Sequence, residues 1–345
     1  MRRLIVVLLG LMIAAAGAAY VLYQRVNQPF RGYQGEAQLV DIPPGATPRT
    51  IGERLVAAGV VRDARTYRLA LWLSGDARRL QAGEYRFDRP MAATEVVQKV
   101  ARGDVELVTI TFREGLTIGE MSKIFESNGF GSAASFVAAA RDPSAVQALD
   151  PDARDLEGYL FPDTYSVPKR TDAIRLVKAM TDQFLRELTP PLHQAAQARG
   201  LTVRQHVTLA SLIEKETGRG EERPLIASVY SNRLKIGMAL QCDPTVIYAL
   251  MLAGRYDGNL RRDDLLFDSP YNTYRYAGLP PGPIAAPGRG ALEAAGSPAE
   301  SEYLYFVSRN DGSHEFARTL AEHNRNVQRW QVQYFRDRRA ASAAR

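Results

Sequence analysis

The stretch ASLIEKETG, Ala210–Gly218, decides how the centre of this chain folds. It continues an apolar-periodic segment in which His206, Leu209, Ile213 and Glu216 recur at helical spacing, so Glu216 extends a partly apolar face. Gly218 and Gly220 read as the helix stop and place Glu216 in the last turn. There the negative end of the helix dipole disfavours an ionised carboxylate, and an apolar wall would disfavour it further. Both effects raise the pKa, the direction a general acid needs. Taken alone, EKET also fits a solvated helix end. Glu214 lies two residues back, about 200° around the helix, and does not share the Glu216 face. It is expected to pair with a neighbouring loop or an arginine.

The chain has 345 residues, enough for two or three domains. A hydrophobic fraction of 46% and a charged fraction of 24% are those of a folded globular protein. The net charge, 44 − 38 = +6, suits an anionic partner such as an acidic membrane, nucleic acid or a cell-wall polymer. No P-loop, dinucleotide fingerprint or zinc-ligand spacing is present, and no aromatic pattern argues for nucleic acid. One cysteine and four scattered histidines support neither a disulfide framework nor a metal site, and no cofactor is expected.

Leu4–Tyr23 is a run of 20 residues without a charge, about the length that crosses a bilayer's hydrocarbon core. Arg2 and Arg3 precede it and tyrosines mark its far end, so residues 1–3 are expected in the cytoplasm and everything after Gln24 outside. AAAGAA offers small-residue cleavage sites, but the run exceeds the roughly 7–15 apolar residues of a signal peptide. The expectation is an uncleaved single-pass anchor in the inner membrane, followed by a polar linker over Gln24–Glu36.

An internal repeat follows. Gly45, Thr47, Ile51, Leu55 and Gly59 match Gly115, Thr117, Met121, Phe125 and Gly129 at an offset of 70. Each copy reads as strand, turn, Thr-capped helix and glycine exit, with strands at Gln38–Ile42 and Leu107–Phe112. Ala82–Phe87 reads as a strand and Ala93–Gly103 as a short helix with a Thr cap. Phe130–Asp155 reads as helical, and Leu156–Pro168 as a loop or strand. Helices are expected at Thr171–Leu188 and Leu192–Gly200, separated by Pro190 and Pro191, and at Leu225–Leu234. Another is expected at Thr245–Leu252 with Asp243 as a plausible N-cap. Tyr303–Ser308 and His314–Leu320 form a hairpin around Asp311-Gly312, and a basic helix, Ala321–Arg338, closes the fold.

The stretch ASLIEKETGRGEERPLIASVYSNRLKIGMALQCDPTVIYAL (Ala210–Leu250), with YNTYRYAGLPPGPIAAPG (Tyr271–Gly288), resembles the bacterial endolytic murein transglycosylases, the MltG/YceG family. The resemblance covers most of the chain. With the N-terminal transmembrane helix (4–23) and linker (24–36) it implies an α+β fold that ends in a catalytic transglycosylase domain (151–345); the strand–helix units of 37–150 resemble LysM-like modules, which bind N-acetylglucosamine-containing polymers, with a purely structural spacer as the equal alternative. It also implies that the second glutamate of EKET, Glu216, is the catalytic acid. One departure shows: Cys242 stands in LQCDPT where the family commonly has a hydroxyl residue.

Such enzymes need a single carboxyl group. Glu216 would protonate the oxygen between MurNAc and GlcNAc, then deprotonate the C6 hydroxyl of the same MurNAc, leaving a 1,6-anhydro end. Asn232 and Gln241 carry amides suited to sugar hydroxyls or N-acetyl groups, and Tyr271, Asn272 and Tyr274 combine stacking faces with donors. These, with Asp243, are the expected groove residues, although caps and buried amides are the competing roles for each. GLPPGPIAAPG (Gly278–Gly288) is expected to form a rigid groove wall. The implied substrate is the peptidoglycan glycan strand, with wall synthases or division and elongation proteins as partners. Two alternatives stay open: a non-catalytic wall-binding scaffold, and a muramidase pairing Glu216 with Glu157, Asp163 or Asp243.

Overall fold

The computed structural model describes residues 2–343. Helix α1, Arg2–Asn27, is long and apolar enough over Val7–Asn27 to cross a membrane, and its residues 7–25 are exposed. The helix overruns the expected linker. Val26 is fully buried, Arg25 reaches Asp63 and Thr66, and only residues 28–37 connect α1 to the first strand.

The remaining chain is α+β and forms two compact units, Met1–Thr109 with Ser166–Thr171, and Ile110–Tyr165 with Asp172–Arg345. In the first unit, β1 (Gln38–Ile42) pairs antiparallel with β2 (Gly83–Phe87), Gln38 opposite Phe87 and Ile42 opposite Gly83. The period-2 pattern puts Val40, Ile42, Tyr85 and Phe87 on one buried face. Helices α2 (Pro48–Ala57), α3 (Ala64–Ser74) and α4 (Ala93–Arg102) supply Ile51, Leu55, Tyr67, Val96 and Val100 to the same core. Each such side chain contributes about 1.5–3 kcal/mol on burial. Thr94 does not cap α4: the cap is Ala92, whose N–H donates to Glu95, while Thr94 donates to Asn27 in α1. Lys169 and Arg170 bind Glu84 and Asp41 within this unit.

β3 (Leu107–Thr111) opens the second copy of the repeat, followed by α5 (Ile118–Ser127) and α6 (Ala133–Ala140). Both copies have the same backbone devices. Gly45 and Gly115 sit at φ of +77° and +76°, Thr47 and Thr117 cap their helices, and Gly59 and Gly129 leave at φ of +69° and +75°. The first turn of α2 holds Pro48, which has no N–H, whereas α5 begins with Ile118, whose N–H donates to Glu157 at 3.2 Å. Residues 141–155 are turns and not helix, ending the helical reading at Ala140.

β4 (Thr164–Pro168) pairs with β3 and leads into α7 (Ala173–Glu187). Pro190 and Pro191 do not separate helices; they form the first turn of α8 (Pro190–Ala198), where a missing N–H is harmless. α9 (Val203–Glu216) is the central helix of this unit. It packs on α8, on α10 (Arg223–Lys235), on α11 (Asp243–Leu252) and on α12 (Arg289–Gly296). His206 Nε2 lies 2.7 Å from the Leu292 carbonyl, tying α9 to α12. The Pro/Gly-rich stretch runs along α9, where the Ile284 N–H donates to Ser211 at 3.1 Å and Ile284, Ala285 and Ala286 are buried. It is core packing, and it does not line the recess that holds Glu216. The hairpin β5 (Tyr305–Ser308) and β6 (His314–Ala317) pairs Ser308 with His314, turning through Asn310 and Gly312 at φ of +67° and +84°. α13 (Leu320–Val327), a π-helical run (Gln328–Gln333) and α14 (Tyr334–Ala343) follow without interruption.

Candidate active site

Glu216 is the last residue of α9. The stop is not a left-handed glycine. Thr217 turns extended at φ −142° and ψ 137°, and its hydroxyl accepts the Arg219 N–H at 3.0 Å. β-branching favours that conformation, so the helix breaks one residue before Gly218. Glu216 thereby points into a recess of about 240 Å³ lined by Arg233, Leu240, Gln241, Asp243, Tyr274, Phe306 and His323.

The carboxyl group is held from α10 and α11. The Tyr230 hydroxyl donates to Glu216 Oε1, and the Cys242 thiol lies beside the same carboxyl and favours its ionised form. Desolvation is the main influence on Glu216 and pushes its pKa up, with the Asp243 carboxylate adding to the rise. Tyr230, Cys242 and the nearby His314 oppose it. Tyr230 and Cys242 are themselves desolvated and pushed well above their ordinary values, so both stay protonated at neutral pH. The result is a carboxylic acid inclined to keep its proton, oriented by the Tyr230 hydrogen bond with the Cys242 thiol beside it.

Tyr230 and Cys242 were not expected in this role. Tyr230 falls one turn from Arg233 in a helix that is buried on most sides, and nothing in its spacing separates it from a core tyrosine. Arg233 donates to the carbonyls of Leu304 at 2.6 Å and Leu240 at 2.7 Å and lies 5.2 Å over the Tyr305 ring. It thus fixes the strand that carries Phe306 against the recess. Glu222 does the same from the other side, accepting the His314 N–H at 2.9 Å and meeting His314 Nδ1 at 2.7 Å.

The expected groove residues separate into two groups. Gln241, Asp243 and Tyr274 line the recess with Glu216. Gln241 sits at φ +50°, a left-handed backbone secured by its N–H on the Thr273 carbonyl at 3.2 Å. Asp243 is not the N-cap of α11. Cys242 holds that position, and Asp243 accepts the Tyr274 hydroxyl at 2.6 Å. Asn232, Asn272 and Tyr271 lie elsewhere. Asn232 donates to the carbonyls of Ser301 and Tyr303, and Asn272, fully buried, donates to those of Leu265 and Phe267. The Tyr271 ring packs edge-on against Tyr248 at 5.0 Å. These amides satisfy loop backbone.

The other carboxylates are also placed. Glu157 is buried, accepts the Ile118 N–H and the Tyr248 hydroxyl, and is pushed up to about 8 by desolvation. It supplies the acceptor that the proline of the first repeat copy makes unnecessary. Asp163 caps the Thr164 N–H at 2.7 Å and lines a separate cleft with Thr217, Glu214 and Arg223. Glu214 binds both a loop and an arginine, accepting from the Gly288 N–H at 3.0 Å and from Arg223 at 2.9 Å. Among the described residues, no cluster of three or more histidine, cysteine, aspartate or glutamate side chains could hold a metal ion.

An α+β unit presenting one desolvated acid at a helix end, beneath a hairpin, is the architecture reached from geometry alone. Residues 40–329 match the YceG-like family model, and the chain belongs to that family. The chain is 31% identical over 330 residues to the endolytic murein transglycosylase of Bacillus subtilis (strain 168), spanning 91% of this chain and 90% of that protein. It is 32% identical to the endolytic murein transglycosylase of Streptococcus pneumoniae serotype 2, over 84% of this chain and 57% of that longer protein. A 2.6 Å crystal structure of a YceG-like protein from Listeria monocytogenes superposes with a TM-score of 0.58 at 31% identity, covering 84% of this chain and 98% of that one.

Proposed function

We propose that this protein is a membrane-anchored endolytic lytic transglycosylase that cuts the MurNAc–GlcNAc bond of peptidoglycan strands and leaves 1,6-anhydro-MurNAc ends. The observation that carries the reading is the Glu216 carboxyl group, desolvated and flanked by Tyr230 and Cys242 in a polar recess. Glu216 delivers its proton to the bridging oxygen as the C1–O bond breaks, and the GlcNAc hydroxyl departs. The Glu216 carboxylate then accepts the proton of the MurNAc C6 hydroxyl as that oxygen bonds to C1. Tyr230 and Cys242 support the charged intermediate state of Glu216 between the two steps. Gln241, Asp243 and Tyr274 are assigned to sugar binding beside it, and Asn232, Tyr271 and Asn272 to shaping the loops around it.

α1 is assigned as an inner-membrane anchor with the basic N-terminus in the cytoplasm and the two units in the periplasm, supported by its length, apolarity and flanking charges. The strand–cap–helix repeat within residues 37–150 is assigned as LysM-like, a glycan-contacting module ahead of the cutting segment, 151–345. Synthases that feed nascent strands are the matching partners.

A muramidase reading has one specific observation in its favour: Asp243 lines the same recess as Glu216 and could activate a water. Mass spectrometry of the ends produced from purified peptidoglycan separates the two. Anhydro ends are expected; ends heavier by one water would establish hydrolysis, and no cleavage would leave a binding scaffold.

A further inference from the structure

The end of α1 is clamped to α3 within the first unit. Arg25 Nη2 donates to Asp63 at 2.6 Å and Arg25 Nε to Thr66 at 3.0 Å, while Asp63 caps α3 through the Arg65 and Thr66 N–H groups. Val26 is fully buried and Asn27 accepts from Thr94 at 3.1 Å. The uncharged run ends at Tyr23, two residues before Arg25. On the anchor reading, on which this inference rests, α3 therefore starts at the level of the membrane surface.

α3 has two faces. Thr66, Tyr67 and Ala70 are buried in the module core. Arg65, Arg68 and Trp72, spaced three and four apart, form a stripe on the opposite side. Trp72 is 77% exposed, and Leu73 beside it is 50% exposed. Among the described residues no carboxylate pairs with Arg65, Arg68 or the neighbouring Arg78, whereas Arg79 is held by Asp76 at 3.2 Å. Trp72 lies six residues beyond Thr66, about 9 Å along the helix. The headgroup layer is itself about 5–7 Å deep. The clamp therefore limits Trp72 to about 9 Å from the level of Thr66, so the indole meets that layer where α3 lies along the membrane surface. An exposed indole on the same helix face as Arg65 and Arg68 matches the headgroup region, where the ring body is shielded, its N–H is solvated and phosphates meet the guanidinium groups.

We propose that the Arg65–Arg68–Trp72 face of α3 docks on the anionic headgroup surface of the membrane that α1 crosses. The docking fixes the first unit against the bilayer, so the anchor holds that unit at a set height and not on a loose tether.

The test uses the full chain with Trp330→Phe, which leaves Trp72 as the one tryptophan, reconstituted in vesicles containing phosphatidylglycerol. With lipids brominated near the top of the acyl chain, Trp72 emission is expected to be quenched and shifted to the blue. Arg65→Ser with Arg68→Ser, or vesicles of phosphatidylcholine alone, should lose most of that quenching. Protein that resists alkaline carbonate extraction yet shows unquenched Trp72 emission would overturn the docking while leaving the anchor intact. A blue shift without quenching would mark a second copy or another protein on this face, and it too would overturn the proposal. Release by carbonate would overturn the anchor and the docking together. Quenching that is equal in phosphatidylcholine would refute the anionic surface as the partner.

Discussion

The Tyr230 hydroxyl donates its hydrogen bond to the Glu216 carboxyl from a neighbouring helix, α10 to α9, fourteen residues further along the chain. A donor stabilises the ionised form, so Tyr230 works against the desolvation that holds the proton on Glu216. The pair sets a balance, an acid that gives up its proton only when the leaving oxygen can take it. Phe306 from the hairpin packs edge-on to Tyr230 at 6.0 Å and closes the apolar side of the recess.

Tyr230→Phe removes that donor. Losing one hydrogen bond to a charged group is on the order of 2 kcal/mol, so strand cleavage should fall roughly 30-fold. The Glu216 pKa should rise further, moving the alkaline limb of the pH–rate profile upward. A profile measured on wild type and variant checks both; a limb that moves down would contradict the role given to Tyr230.

Glu216→Gln should retain the fold and lose cleavage by a factor on the order of 10²–10⁴. Glu214→Gln should keep measurable activity. The folded-state pKa of Glu216 is raised from its ordinary 4.5, so the folded protein holds a proton the unfolded chain releases as pH climbs past that value. Stability from this residue is therefore lost as pH rises from 4.5 towards the raised pKa. The Gln variant should be at least as thermally stable as wild type at neutral pH, with the advantage vanishing in acid. A variant that melts clearly lower than wild type at alkaline pH would show a structurally paired carboxylate.

Glu157 gives an independent pH signature. With its carboxyl pushed from 4.5 up to about 8, wild type should lose stability relative to Glu157→Gln across that interval. The slope is bounded at about 1.4 kcal/mol per pH unit. Gln can still accept the Ile118 N–H, whereas Glu157→Ala removes the acceptor and should be about 1 kcal/mol less stable than the Gln variant at any pH. Denaturant titrations at several pH values read both, and cleavage by the Gln variant should persist.

Arg223→Met leaves Glu214 buried, its side chain 5% exposed, with the Gly288 N–H still donating to it. Stranding such a charge should destabilise the protein by about 3–5 kcal/mol. The double variant with Glu214→Gln should recover part of the loss, a coupling that a double-mutant cycle measures.

Cys242→Ser replaces a weak donor by a stronger one at a fully buried position. The variant should stay active, with the alkaline limb moved to lower pH because the hydroxyl favours the Glu216 carboxylate. In the folded wild type the thiol should react slowly with thiol reagents, since burial and the Glu216 carboxylate both push its pKa up. Reaction as fast as in the denatured protein would contradict its burial.

Local patterns were legible in the sequence because they depend on neighbours along the chain. The uncharged run from Leu4, the β1 strand at Gln38–Ile42, and the Thr47 and Thr117 caps with their left-handed glycines each follow from backbone and side-chain preferences within a few residues. The end of α9 at Glu216 follows in the same way, as does the inability of Glu214 to share its face. Tertiary structure alone decided which polar groups meet. Asn232 and Asn272 looked like sugar ligands, yet orphaned loop carbonyls took their donors, because a buried carbonyl must find a partner. Tyr230 had no distinguishing spacing and Cys242 showed only as a departure from the family's pattern, yet the packing of α10 and α11 on α9 brings both to Glu216. Whether a carboxyl sits in water or in a desolvated recess depends on residues far away in the chain, and no periodicity encodes that distance.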